Sequence, residues 1–159
     1  MRIKHVMTKD PKFCLPSDLA QHAAKIMRDE NAGIVPVVDD ATHRKITGVI
    51  TDRDLCMTLL AEGDADPRTA SVDQCMTKVV VTCSPNDSVE RATELMRENQ
   101  IRRLPVVNEQ GELVGIVALA DVVERADVKP MQTHETLKKV SEPTSVPSKP
   151  RAQSAHDAA

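Results

Sequence analysis

The chain carries one pattern twice, and that duplication limits what it can fold into more than any other feature. Met7-Thr8-Lys9 returns as Met76-Thr77-Lys78, Cys14 as Cys83, Pro16 as Pro85 and Asp18 as Asp87. Met27-Arg28 returns as Met96-Arg97, and Pro36-Val37-Val38 as Pro105-Val106-Val107. Residues 3–39 align with 72–108 without a gap and share twelve identities in thirty-seven positions. After a two-residue shortening, Gly48–Asp54 meets Gly115–Asp121. A unit this short buries too little apolar surface to stand alone, so two copies are expected to pack together. A pair related by an approximate two-fold axis leaves two equivalent clefts between its copies, and function is expected there.

Composition narrows the class. Apolar residues make up 40% of the 159, yet Phe13 is the sole aromatic, so the core has to be aliphatic. A net charge of −3 argues against a nucleic-acid or membrane-surface partner, both of which rest on a basic face. No apolar run reaches membrane-spanning length and no secretory signal opens the chain, so the reading is cytoplasmic. Cys14, Cys56, Cys75 and Cys83 lack C-x-x-C spacing and read as reduced, structural thiols. His5, His22, His43, His134 and His156 show no ligand-like spacing, which points away from a metal site.

Each repeat reads as β-α-β-β-α, an α/β fold of the α+β type. A short strand around Phe13–Leu15 stops at Pro16, and Ser17-Asp18 offers helix caps. Ala20, Ala23, Ala24 and Met27 then form a core-facing helical stripe, repeated by Val89, Ala92, Thr93 and Met96. Ile34–Val38 is a continuous apolar run of buried-strand type. Ile46–Ile50 and Leu113–Val117 supply the third strands, and a helix runs from Thr51 to about Glu62. The expected boundaries are 1–62 for repeat 1, 63–71 for the linker and 72–127 for repeat 2. Residues 128–159, with four prolines, read as a disordered, solvated tail with room for a short helix near Glu135–Val140.

Thr51-Asp52-Arg53-Asp54 follows a buried strand and opens a helix. Its minimal explanation is a capping box, Thr51 accepting an N–H and Asp54 bonding back. A helix N-terminus also favours phosphate, Thr51 adds a hydroxyl donor, and Asp54 can accept both hydroxyls of a vicinal diol. Phosphate and diol about one helical turn apart describe a ribonucleotide. Arg102-Arg103 precede the buried strand Leu104–Val107; they are either an ordinary solvated edge or a guanidinium fork for phosphate. Arg53 is near enough to join, and Asp52 is expected to point to solvent.

The chain resembles a tandem pair of CBS domains, the module named after cystathionine β-synthase. The resemblance rests on Val6-Met7-Thr8, on Ala32–Val38 and Ile101–Val107, and on G-h-h-T-x-x-D (h apolar) at Gly48–Asp54. It spans residues 1 to about 126 and is similar to the stand-alone bacterial type that includes hypoxic-response proteins. The resemblance implies a pseudo-two-fold pair that regulates by binding adenosine compounds: AMP, ADP or ATP, alternatively S-adenosylmethionine or NAD. It implies no catalysis, no required cofactor, a homodimer and an unidentified protein effector in an energy or stress response. Carried over residue by residue, a strong site joins Thr51, Arg53 and Asp54 to Val80, Val81, Ile101, Arg102, Arg103 and Pro105. A weak site joins Asp121 to Pro11, Lys12, Ala32, Gly33, Ile34, Val35 and Pro36; Ala118 replaces the motif threonine there, and no arginine pair is expected to face it. The competing reading is a ligand-independent interaction module with vestigial clefts.

Overall fold

The computed structural model describes the backbone of residues 1–63, 65–125 and 130–142, and their side chains except at 130–133. A two-residue strand β1 (Thr8–Lys9) precedes helix α1 (Ala20–Asp29) and the antiparallel pair β2 (Ile34–Val38) and β3 (Ile46–Thr51). Helix α2 (Asp52–Leu55) then continues as a π-helix over Cys56–Ala61. The second repeat supplies α3 (Val72–Cys75), α4 (Val89–Asn99), β4 (Arg103–Val107), β5 (Leu113–Ala118) and α5 (Leu119–Arg125). Helix α6 (Pro130–Ser141) closes the described chain.

The expected strand at Phe13–Leu15 shrinks to a single parallel bridge, Cys14 to Val37, matched by Cys83 to Val106. Asp18 does not cap α1. Its carboxylate instead accepts the Leu15 N–H at 2.8 Å, and Leu19 occupies the cap position. The α4 stripe of Val89, Ala92, Thr93 and Met96 is buried as expected, whereas Ala24 on α1 is exposed. The difference between the repeats is α6, which packs on α4 and has Thr136 and Val140 buried. Part of the stretch read as a disordered tail is therefore helix; residues 126–129 and 143–159 lie outside the described residues.

The two-fold relation is visible in hydrogen bonds. Lys45 forms an antiparallel bridge with Glu112, its own counterpart in the other repeat. Ile46 N–H donates to Gly111 O at 3.1 Å, and Leu113 N–H to Arg44 O at 2.9 Å, a pair that the repeat operation interchanges. A bond between a residue and its own equivalent can form only where the pseudo-axis passes.

Each repeat lends its opening segment to the other. Ile3 and Val6 belong to the core built from Val89, Ala92, Met96, Leu104, Val106 and Val117. Val72, Cys75 and Met76 belong to the core of Cys14, Ala20, Ala23, Val35, Val37 and Ile50. Matching backbone bonds tie both segments down: Ile3 N–H to Asp87 O (3.0 Å) and Val72 N–H to Asp18 O (2.7 Å). β1 pairs with β5, Thr8 opposite Ile116, while Thr77 bridges Val49. The crossing backbone explains two glycines. A Cβ at Gly48 would stand 2.8 Å from Thr77 O, and one at Gly115 would stand 3.0 Å from Thr8 O. The boundaries 1–62 and 72–127 follow the repeat in the chain, while the packed units exchange the segments Ile3–Lys9 and Val72–Thr77.

Candidate functional site

The corner at the start of α2 is set by the β2–β3 register. Ile34 lies opposite Thr51, and the Asp52 N–H donates to Gly33 O at 3.1 Å. The capping box is formed: Asp54 N–H donates to Thr51 Oγ1 and Thr51 N–H to Asp54 Oδ2, both at 3.0 Å. The Thr51 hydroxyl accepts through oxygen, leaving its hydrogen free to donate outward. Asp54 also accepts the Thr77 hydroxyl, at 3.3 and 3.4 Å from its two oxygens. Thr77 comes from the exchanged segment, so the first repeat's carboxylate is positioned by a residue of the second. A carboxylate has about four lone-pair sites, which leaves capacity on Asp54 for a ligand hydroxyl.

Arg103 reaches this corner from the other repeat. A Cβ placed on Gly33 would meet Arg103 Nη1 at 3.5 Å and Asp52 Oδ2 at 3.1 Å. Glycine leaves room for both charged groups. Asp52 is exposed, yet its carboxylate stands over Gly33 beside the guanidinium, while its Oδ1 accepts the Arg53 N–H at 2.7 Å. The solvent-pointing expectation for Asp52 is therefore incomplete.

Arg103 reaches the Gly33–Asp52 turn, which adjoins Thr51 in the chain and precedes Asp54 by two residues. Val80 and Val81, both half-buried, follow three and four residues after Thr77, Val81 packing on the second core. Gly33 and Ile34, assigned from the resemblance to the opposite cleft, join them, because each strand edge lies beside its own repeat's helix start. Arg53 is exposed. Arg102 turns away, its Nη2 being 3.5 Å from Ser141 Oγ. Ile101 packs on the second core, and Pro105 is buried in β4, where Cys83 N–H donates to its carbonyl. Val35 and Pro36 are likewise buried, core rather than rim. Pro11 is half-buried and Lys12 exposed ahead of Cys14, alongside the first repeat. Thr77 is the contributor that the sequence reading missed, although its place in a repeated Met-Thr-Lys was visible.

The second repeat's corner is built differently. Asp121 Oδ2 accepts the Ala118 N–H at 2.9 Å, and Arg125 Nη2 lies 3.8 Å from its other oxygen. No hydroxyl stands at Ala118. A cavity of about 430 Å³ opens here, lined by Arg102, Arg103, Ala118, Leu119, Glu124, Leu137 and Ser141 among others. Two arginines line this cavity, which includes none of the residues assigned to the weak site, and α6 contributes Leu137 and Ser141 to its wall.

Cys14, Cys75 and Cys83 are buried and Cys56 exposed, and none of the four is in a disulfide. Burial, reinforced by Asp18 and Asp87, pushes the Cys14 and Cys83 thiols up to about 12. Only Cys56 is expected to react promptly with an aromatic disulfide at pH 8. Counting released chromophore before and after denaturation checks this; fast release from three thiols would contradict the burial. Among the described residues no helix is long and apolar enough to cross a membrane.

The sequence profile of the CBS domain matches residues 3–61 and 72–127. The chain belongs to the CBS-domain family. CBS domain-containing protein YhcV of Bacillus subtilis is 40% identical over 120 residues, covering 76% of this chain and 81% of that one. The crystal structure of hypoxic response protein I with two coordinated zinc ions superposes with a TM-score of 0.70 at 30% identity, over 79% of this chain and 98% of that one. The structure of CBSX2 in complex with AMP gives 0.68 at 26% identity, over 79% and 95%. The tandem CBS architecture is thus shown, and the matches support a regulatory, ligand-binding role at the level of the family.

Proposed function

We propose that this CBS pair is a non-catalytic sensor that binds one adenosine ribonucleotide, AMP, ADP or ATP, at the corner of Thr51, Asp54, Thr77 and Arg103. The observation that carries this reading is the approach of Arg103 from one repeat to the Gly33–Asp52 turn of the other. A guanidinium and a diol-competent carboxylate then grip the two ends of one nucleotide. In this reading Asp54 accepts the ribose hydroxyls, Thr51 and Arg103 hold phosphate oxygens, and Val80, Val81 and Ile34 flank the base. The complex of CBSX2 with AMP supports the choice of ligand class. A nucleotide here touches both repeats, so binding alters the free energy of their mutual arrangement, which an effector or a second copy can read. Exposed Leu19, Met57 and Leu60 supply apolar surface for a homodimer.

The test is calorimetric titration of the purified chain with AMP, ADP, ATP, S-adenosylmethionine and NAD. Saturable binding of at least one adenosine ribonucleotide is expected. No binding by a folded chain would leave the reading of a ligand-independent interaction module. Asp52 supplies a sharper check, because its carboxylate shares the Gly33 face with the Arg103 guanidinium and repels a phosphate bound there. Asp52→Asn is expected to tighten ATP by roughly two- to fivefold, in keeping with about 0.5–1 kcal/mol for a screened exposed charge, and to leave adenosine unchanged. Equal effects on both ligands would remove Arg103 from the phosphate role.

A further inference from the structure

Away from the nucleotide corner, the first repeat gathers three side chains of ligand type. Cys14 Sγ, a carboxylate oxygen of Asp18 and an imidazole nitrogen of His22 all lie within 4.8 Å of one another. They come from the residue that bridges β2, the turn before α1, and the first turn of α1. We propose that these three side chains form a binding site for one zinc-class divalent cation, with water as the fourth ligand.

Thiolate, imidazole and carboxylate together make a donor set that Zn²⁺ accepts in tetrahedral coordination, and the sulfur disfavours Mg²⁺ and Ca²⁺. Zinc bond lengths imply donor separations of about 3.3–3.8 Å. The set therefore has to close by about an ångström, and rotation of the exposed His22 side chain can provide it. Asp18 is already oriented: its Oδ2 accepts the Leu15 N–H, leaving Oδ1 for the ion. The Cys14 proton passes to solvent as the sulfur–metal bond forms.

Duplication provides an internal control. Cys83 and Asp87 repeat the first two ligands in the same setting, with Ser84 N–H donating to Asp87 Oδ2 at 2.7 Å. The counterpart of His22 is Arg91, whose guanidinium is paired with Glu94 at 2.7 Å. Among the described residues no such cluster forms in the second repeat. The cysteine and aspartate are thus scaffold common to both copies, and His22 is what converts one of them into a site. The same turn receives the exchanged segment through Val72 N–H to Asp18 O and Asp73 N–H to Pro16 O. An ion there braces the segment that delivers Thr77.

The test is titration of the chelator-stripped full chain with Co²⁺, followed by absorption and then by displacement with Zn²⁺. One equivalent is expected, with a thiolate-to-cobalt charge-transfer band and the visible bands of a tetrahedral ion. His22→Ala is expected to weaken binding at least tenfold while leaving the metal-free thermal midpoint unchanged. Arg91→His is expected to add a second equivalent with the same spectrum. Absence of the charge-transfer band, or unchanged affinity in His22→Ala, would overturn the proposal.

Discussion

Ile3→Ala is expected to destabilise the second repeat by about 2–5 kcal/mol, the usual cost of truncating a fully buried aliphatic side chain. Ile3 opens the first copy in the sequence, but it is wholly buried against Val89, Ala92, Met96 and Leu104 of the other. Its neighbour Val6 is buried in the same cluster, so the cavity cannot collapse by moving the segment without exposing a second side chain. The measurement is urea unfolding with a probe confined to α4. Val72→Ala provides the mirror experiment on the first repeat, since Val72 is fully buried beside Ala20, Val35 and Ile50. A loss below about 1 kcal/mol in both variants would mean that the exchanged segments are decoration rather than core.

Asp54→Ala is expected to weaken nucleotide binding by ten- to a hundredfold. A hydrogen bond to a charged group contributes roughly 1.5–3 kcal/mol, and about 1.4 kcal/mol is tenfold in affinity. The substitution also removes the return half of the capping box and the partner of Thr77, so part of the loss reflects a looser corner. Thr77→Val separates the two contributions, because it frees the carboxylate of its competitor while leaving the ribose acceptor in place. It is expected to change affinity less than threefold. Asp121→Ala is expected to matter less than Asp54→Ala, since Ala118 offers no hydroxyl where Thr51 does and Arg125 lies 3.8 Å from the Asp121 carboxylate. Calorimetry with equal losses at Asp54 and Asp121 would reverse the ranking of the two corners.

The repeat made the architecture legible from the sequence. A gapless 69-residue offset implies two equivalent units, and short, β-branched apolar runs such as Ile34–Val38, preceded by Gly33, locate their central strands. The capping box at Thr51–Asp54 was equally readable, because both of its bonds are local. Less visible was the exchange of opening segments. Ile3 and Val72 look alike in either packing, and no local preference distinguishes which copy's core receives them. The position of the strand edges was no more legible: the Ile34–Thr51 pairing is a matter of register within one repeat, while the Arg103 side chain reaches Gly33 from the other repeat. The π-helix at Cys56–Ala61 had no signature in an otherwise ordinary helical stretch. Helix α6 was legible only over its Glu135–Val140 part, since its burial comes from packing on α4 rather than from a strongly apolar face.

The most direct test of the central claim is a crystal structure of the chain soaked with AMP. The account predicts the ribose hydroxyls on Asp54, with the phosphate between Thr51 and the Arg103 guanidinium. A nucleotide found instead in the 430 Å³ cavity beneath α6, against Glu124 and Ser141 with the Thr51 corner unoccupied, would contradict it.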